Sequence, residues 1–308
     1  MKKTIFLLYV VSITISCKSN FSKIGDVKSN YIPYYLKVYK ADSLYLTKNY
    51  QQSYEILDSL FKKYEPINIP LYFEYENYIK MAVINNKNKK KDIIKLIKKY
   101  DYRLDDFEND SILKLALKRN SITKEKVIKL HAKFENNIDT IYRNIIHKMN
   151  NDDQFVRNLQ PINLADVKKV DFKNDSILNI LINSKGFPLI TTVGSWKKIN
   201  NEIEYKSVSL DVLLIHFSSN KEWFEKNEKK YFQYVKQGLL YPFVYAYMFD
   251  KNYNAINSGG SYFKYLFSNV LFEENQQNFK EINEIRKKVG LPTVEFQKFH
   301  YKKRILKQ

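Results

Sequence analysis

The chain has 308 residues, 44% of them hydrophobic and 28% charged, with 7 glycines and 7 prolines. That apolar share excludes a disordered chain, and the scarcity of Gly and Pro excludes long loop-rich regions. The formal net charge is +19, but only six of the 52 cations are arginine, the residue suited to bidentate phosphate and base contacts. No nucleic-acid partner is expected, which leaves anionic envelope polymers or lipid headgroups as nonspecific partners of the lysines.

Met1-Lys2-Lys3 precedes an apolar run from Ile5 to Ile15 and then Ser16-Cys17. This is a charged n-region, a short h-region and a small residue before a cut. The run falls short of the roughly 20 apolar residues that span a bilayer. Thr14-Ile15-Ser16-Cys17 resembles a bacterial lipobox, with Thr14 where leucine is usual. The resemblance implies a signal peptide over 1–16, diacylglycerol on Cys17, and a membrane partner held through that lipid. Cys17 is the single cysteine, so lipidation leaves no thiol for a disulfide, a metal cluster or a nucleophile. The alternatives are an ordinary signal peptide and a short N-terminal anchor. Lys18-Ser19-Asn20 lacks the acidic residue that resembles an inner-membrane retention signal. The expected location is therefore the outer membrane, facing the periplasm. Residues 17–32 read as a lipidated tether, polar from Phe21 to Asn30.

Between residues 33 and 120 the apolar positions recur at helical spacing. Tyr35, Val38, Tyr39 and Tyr45 share one side of a first helix, and Asp42 interrupts their stripe. A second helix carries Tyr54, Leu57, Leu60 and Phe61, a third runs near Leu71 to Ile84, and a fourth runs from Lys91 to Tyr100. The lysine-dense stretch Lys87 to Lys99 reads as the solvated face of that fourth, amphipathic helix.

These hairpins look like tetratricopeptide-type repeats. Ala41 and Ser53 take the small positions that let paired helices approach, with Leu44, Leu57 and Leu60 beside them and Asn49-Tyr50 at the turn. Met81, Ile84, Ile93 and Ile97 make a weaker second unit, at a spacing longer than the usual 34 residues. Two readings stand for this region: a concave surface that holds a partner segment, or a helical cap on the rest of the chain, since stable arrays usually need three repeats.

After a bridge at Asp105-Asp106-Phe107, a long helix is expected from Ser121 or Thr123, either of which can cap it. Its stripe is Val127, Leu130, Phe134, Ile138, Ile141, Tyr142 and Ile145, and it ends at the polar Asn150 to Asp153. Asp171 and Asn174 stand before a helix with Ile177, Leu178 and Leu181, where one of them can serve as the cap. Gly186 before Phe187-Pro188 reads as a helix C-cap, and Gly194 as a turn. Gly259-Gly260 reads as the turn of a hairpin between 252–256 and 262–267. A final helix is expected from about Asn275 to Val289, stopped by Gly290-Leu291-Pro292.

The ordered set Asp153-Gln154-x-x-Arg157, Asp171, Asn174, Gly186-Phe187-Pro188, Val193-Gly194, His216, Gly238, Tyr245 to Lys251 and Arg286-x-x-x-Gly290-Leu291 is similar to domain-of-unknown-function family 6624. The resemblance covers about Lys124 to Tyr301. It implies a bacterial domain found in exported proteins, with no assigned activity. Phe187, Ile215 and Lys251 depart from the family's usual Trp, Gln and Arg. The family's late Gln-x-Tyr-Gly-Thr segment is reduced to Gly259-Gly260-Ser261-Tyr262.

His216 follows Leu213-Leu214-Ile215 on an expected helix. Its imidazole can serve as a general acid or base or as a core histidine bonded to backbone. Its candidate partners are Asp171, Asp250 and Arg157, and Arg157 can instead pair with Asp153. The histidines at 131, 147, 216 and 300 form no zinc-type pair, and neither nucleotide-binding glycine pattern is present. No cofactor or metal is expected. The chain is expected to be mainly α: tetratricopeptide-like helical hairpins over 33–120, then a helical domain over 121–308 with room for one small β-hairpin. The first functional expectation is a noncatalytic envelope lipoprotein that binds a protein or an envelope polymer. The alternative is a hydrolase-like or transferase-like enzyme using His216.

Overall fold

The computed structural model describes residues 21–194, 210–256, 265 and 279–304. The fold is mainly α, with 15 helices among the described residues. None of those helices is long and apolar enough to cross a membrane.

The first pair, α1 (Ile32–Leu46) and α2 (Tyr50–Phe61), forms a close hairpin. Ala41 and Ser53 are both buried where the helices meet, and the Ser53 hydroxyl donates to the Ala41 carbonyl at 2.6 Å. Small side chains here let the backbones come close enough for that bond. Next come α3 (Glu74–Ile84) and α4 (Lys90–Tyr100). Met81, Ile93 and Ile97 are buried, as a second unit requires, but Ile84 is 38% exposed and takes no part in it. The expected bridge is itself helical, with α5 (Leu104–Glu108) and α6 (Ser111–Arg119). α3 packs chiefly on α2 and α6, and α4 on α7 (Lys124–Glu135), so α3 and α4 do not repeat the tight pairing of α1 and α2.

The expected single helix after residue 121 is two. Thr123 caps α7 through Lys126 N, as anticipated. The helix then stops at Glu135, where Asn136 and Asn137 favour local side-chain bonds over helix; Asn137 Nδ2 bonds back to Lys133 O at 2.8 Å. Asp139 then caps α8 (Thr140–Asn158), accepting from Tyr142 N at 2.9 Å. The polar run at 150–153 does not end the helix, which continues for another turn and more. Asn163 caps α9 (Leu164–Lys185), so Asp171 and Asn174 lie inside that helix and cap nothing. Gly186, at φ 81°, closes α9 as expected, and its N–H returns to Ile182 O at 2.9 Å.

The short α10 (Ile190–Val193) ends at Gly194 in a left-handed turn. There follow α11 (Asp211–Phe217), α12 (Lys221–Lys236) and α13 (Pro242–Ile256). Residues 252–256 are therefore helix and not a strand of the expected hairpin; its turn and second strand lie outside the described residues, apart from Tyr265. α14 (Phe279–Lys288) is not the last helix, because α15 (Val294–Arg304) follows it.

The segment expected to be a free tether is tied down from Ser22 onward. Ser22 pairs with Tyr64 in the one isolated bridge among the described residues, and Ile24 N donates to Glu65 Oε2 at 3.0 Å. Gly25 N and Tyr31 N donate to Gln237 O and Lys236 O, at 2.9 and 2.8 Å. One continuous core runs from Tyr31 to Leu291. Two tyrosines of α1 reach across it: Tyr35 Oη donates to Val235 O at 3.1 Å and Tyr39 Oη to Gly290 O at 2.9 Å. Asp42, the break in the tyrosine stripe, is buried against Arg304 and His300 of α15.

Candidate functional site

The buried row of α8 is Tyr142, Ile146, Met149, Asp153 and Val156. Asp153 thus occupies a core position of an apolar stripe, facing α11, and is 0% exposed. A carboxylate without water is tolerated only when its lone pairs are filled, and here they are. His216 Nδ1 lies 2.9 Å from each carboxylate oxygen. Arg157, one turn along α8, places Nε 3.0 Å from Oδ1, and Gln154 Nε2 donates to Oδ2 at 2.8 Å. Arg157 Nη2 continues to Asp171 Oδ1 of α9 at 2.6 Å. The result is a chain from His216 through Asp153 and Arg157 to Asp171, joining α11, α8 and α9.

Burial on its own would raise the Asp153 carboxyl. The His216 hydrogen bond and the charges of His216 and Arg157 outweigh it and hold the group below the ordinary carboxylate value. Asp171 goes the other way: burial is its largest influence, the charge of Asp153 adds to it, and Arg157 only partly offsets them, so its carboxyl is raised. Two neighbouring carboxyls pushed in opposite directions are a recurring feature of acid–base sites.

An ionised carboxylate only accepts, so Nδ1 of His216 carries a proton in this network in either charge state of the ring, and the neutral form is the Nδ1–H tautomer. The lone pair then lies on Nε2, which has no partner among the described residues, on a side chain 23% exposed. His131 is a useful contrast. It also faces a carboxylate, with Nε2 2.7 Å from Asp101 Oδ1, but its Nδ1 looks toward Glu135 at 3.9 Å and so both ring nitrogens face acids.

Of the three partners expected for His216, Asp171 and Arg157 belong to its network without touching the ring, and Asp250 does not belong. Asp250 is buried on α13 and accepts from Tyr265 N at 3.0 Å, near Arg286, which donates to Tyr265 O at 2.8 Å and Pro292 O at 2.7 Å. The residue that grips the ring, Asp153, was assigned by sequence only to Arg157. Asn174 Nδ2 donates to Met149 O at 3.0 Å, adjoining the same seam. Cys17 lies outside the described residues. No group of three His, Cys, Asp or Glu side chains among them is placed to hold a metal ion.

A cavity of about 550 Å³ lies between α4, the 187–194 segment and the start of α13, walled by Phe187, Leu189, Tyr241 and Phe243 with the Glu65–Lys99 ion pair at one side. Asp211, on the same helix as His216, lines it; His216 does not. No family model, curated protein or solved structure matches this chain.

Proposed function

We propose that this chain is a lipid-tethered protein of the bacterial envelope whose C-terminal half carries a general acid–base site centred on His216. The observation that carries the chemistry is the grip of the fully buried Asp153 on Nδ1, which fixes the tautomer and leaves Nε2 without a partner among the described residues, on a side chain 23% exposed. In that arrangement Nε2 takes a proton from water or a substrate hydroxyl as it attacks, and Asp153 stabilises the imidazolium that forms. Arg157, bound to both Asp153 and Asp171, neutralises these acids behind the ring. Hydrolysis or group transfer is the reaction class that uses these parts. Asp153, Gln154, Arg157, Asp171 and His216 come from three helices and all belong to the set that is similar to family 6624, which supports reading their convergence as a site. The lipobox-like Cys17 supports the address, at the outer membrane facing the periplasm.

A noncatalytic binding module is the second reading, with a protein or an anionic envelope polymer as its partner. It is favoured by the position of His216 outside the walls of the larger cavity and by the close α1–α2 hairpin. Turnover separates the two. Wild type, His216→Gln and Asp171→Asn are assayed against ester, phosphoester, glycoside and amide substrates. The acid–base reading expects one class to be turned over, with His216→Gln slower by about 10²–10⁴-fold at an unchanged melting temperature. Turnover that survives His216→Gln would remove His216 from the chemistry. The address is tested apart from this: Cys17→Ala should abolish labelling by a fatty-acid probe.

A further inference from the structure

The hairpin of α8 and α9 turns one face to α11 and α10, and among the described residues no other helix packs closely on the opposite face. Toward its tip Phe155 is 67% exposed and Leu164 70%, with Leu159 and Ile162 exposed in the connection between the helices, and Phe172, two turns into α9, is 78% exposed. Lys168 and Lys169 are exposed in the first turns of α9. Farther along that face, Ile141, Ile145, Met149 and Ile177 wall a groove of about 360 Å³. Lys148 and Lys173 stand at its mouth and share Asp152, at 2.9 and 3.2 Å. Apolar surface this concentrated on a folded chain marks a binding face.

We propose that this face docks into an anionic lipid bilayer, the exposed phenylalanines and leucines entering the boundary between headgroups and acyl chains. Composition separates this occupant from a protein partner. Protein interfaces are enriched in Tyr, Trp and Arg and depleted in Lys. None of the chain's 25 tyrosines and 2 tryptophans falls on the hairpin beyond Tyr142, and Arg157 is turned inward to Asp153 and Asp171. What remains is Phe, Leu and Ile among Lys148, Lys168, Lys169 and Lys173, with Asp152 and Asp166 as the acids beside them, and apolar residues set among lysines suit a segment that lies in a membrane interface. From Lys18 onward the formal charge is +17, the full chain's +19 less Lys2 and Lys3, and it draws the chain to an anionic surface. The proposal rests neither on the chemistry of His216 nor on the lipid of Cys17.

The described fold begins at Phe21, so the chain from Lys18 onward, made without lipid, keeps every contact above. It is sedimented with vesicles of phosphatidylcholine containing one-third phosphatidylglycerol. Wild type should bind, and more weakly as salt is added. Phe155→Ser with Phe172→Ser should weaken binding by about tenfold or more, and Lys168→Ala with Lys169→Ala by severalfold, all with melting temperatures unchanged. No binding by wild type, or equal binding by the phenylalanine variant, overturns the proposal. So does a wild-type dimer that the phenylalanine variant dissociates, which would assign the face to a second copy of the chain.

Discussion

Asp153 holds His216 through both carboxylate oxygens, each 2.9 Å from Nδ1, while Arg157, one turn along the same helix, donates to Oδ1 at 3.0 Å. With Gln154 on Oδ2 at 2.8 Å, one buried anion thus serves three proton-donating partners on two helices. Asp153→Asn puts an amide donor among those donors and removes the charge. Removing one member of a buried ion pair costs about 3–5 kcal/mol; since His216 and Arg157 each retain some contact with water, about 2–3 kcal/mol is expected, read as a lower urea midpoint. The folded-state carboxyl is held below its ordinary value. Its contribution is therefore complete above the unfolded pKa of roughly 3.9 and is lost as pH falls through the folded value. The Asn variant should lack that acid limb, and a curve parallel to wild type would sever the coupling described.

Asp42 and His300 make a second prediction, of pH dependence. Their facing atoms, Oδ2 and Nε2, lie 3.5 Å apart, and neither has a hydrogen-bond partner among the described residues. Burial pushes the Asp42 carboxyl up to about 6 against the pull of Arg304. Burial and then the charge of Arg304 push His300 down to about 4. A raised carboxyl contributes stability that is present below its unfolded pKa and lost as pH rises toward 6. A lowered imidazole contributes stability that is present above 6.5 and lost as pH falls toward 4. The two slopes oppose each other between pH 4 and 6, so the pair together adds little net slope to wild type there. His300→Gln should leave a chain that weakens from pH 4 to 6, and Asp42→Asn one that weakens from pH 6.5 to 4. Urea midpoints across that range check both signs.

The same two acids show what the sequence made legible. Asp42 sits in the row Tyr35, Val38, Tyr39, Asp42 and Tyr45, so its intrusion into an apolar stripe is visible in the sequence. Its reason, α15, comes from more than 250 residues later, and no local pattern encodes that contact. Asp153 is the same signal in the row of α8, missed because the polar run at 150–153 looked like a helix end. The stripe carried through Met149 to Val156 would have exposed it. Helix existence and the hairpin at Ala41 and Ser53 follow from local spacing. The Asn136–Asp139 break and the second partner of Asp153 depend on which helices pack together. The tying-down of residues 22–31 was hidden for a related reason: a polar composition says nothing about backbone groups that another helix end will bond.

Glu74 anchors the turn before α3. It is buried, and it accepts from Tyr34 Oη at 2.6 Å, Asn68 N at 2.6 Å and Ile69 N at 2.8 Å. Glu74→Ala strands buried donors at about 1–3 kcal/mol each, so a loss of about 3 kcal/mol or more is expected. Tyr34→Phe keeps the carboxylate but leaves Ile67 N, which donates to Tyr34 Oη at 2.9 Å, without its acceptor, a loss of about 1–2 kcal/mol. Urea unfolding of both variants should rank them in that order, and the reverse order would mean that the carboxylate is not the hub of this turn.

Tyr31 fastens the segment before α1 to the fold. Its ring is fully buried against Tyr34 and Tyr64, at centroid distances of 5.3 Å each, and its hydroxyl donates to Ser22 O at 3.0 Å and Glu65 O at 3.2 Å. The segment before α1 is thereby stitched to the stretch that follows α2, and the Gly25 and Tyr31 N–H groups tie it to the end of α12. Beginning the chain at Lys18 removes Cys17 and none of these contacts, so its melting temperature should equal that of the chain bearing Cys17. Beginning it at Ile32 removes the ring and the backbone bonds of Gly25 and Tyr31 together. Truncating a buried aromatic alone costs about 3–5 kcal/mol, and a fall in melting temperature of well over 5 °C should accompany the shorter chain. Equal melting of the two truncations would return residues 21–31 to the role of a free tether.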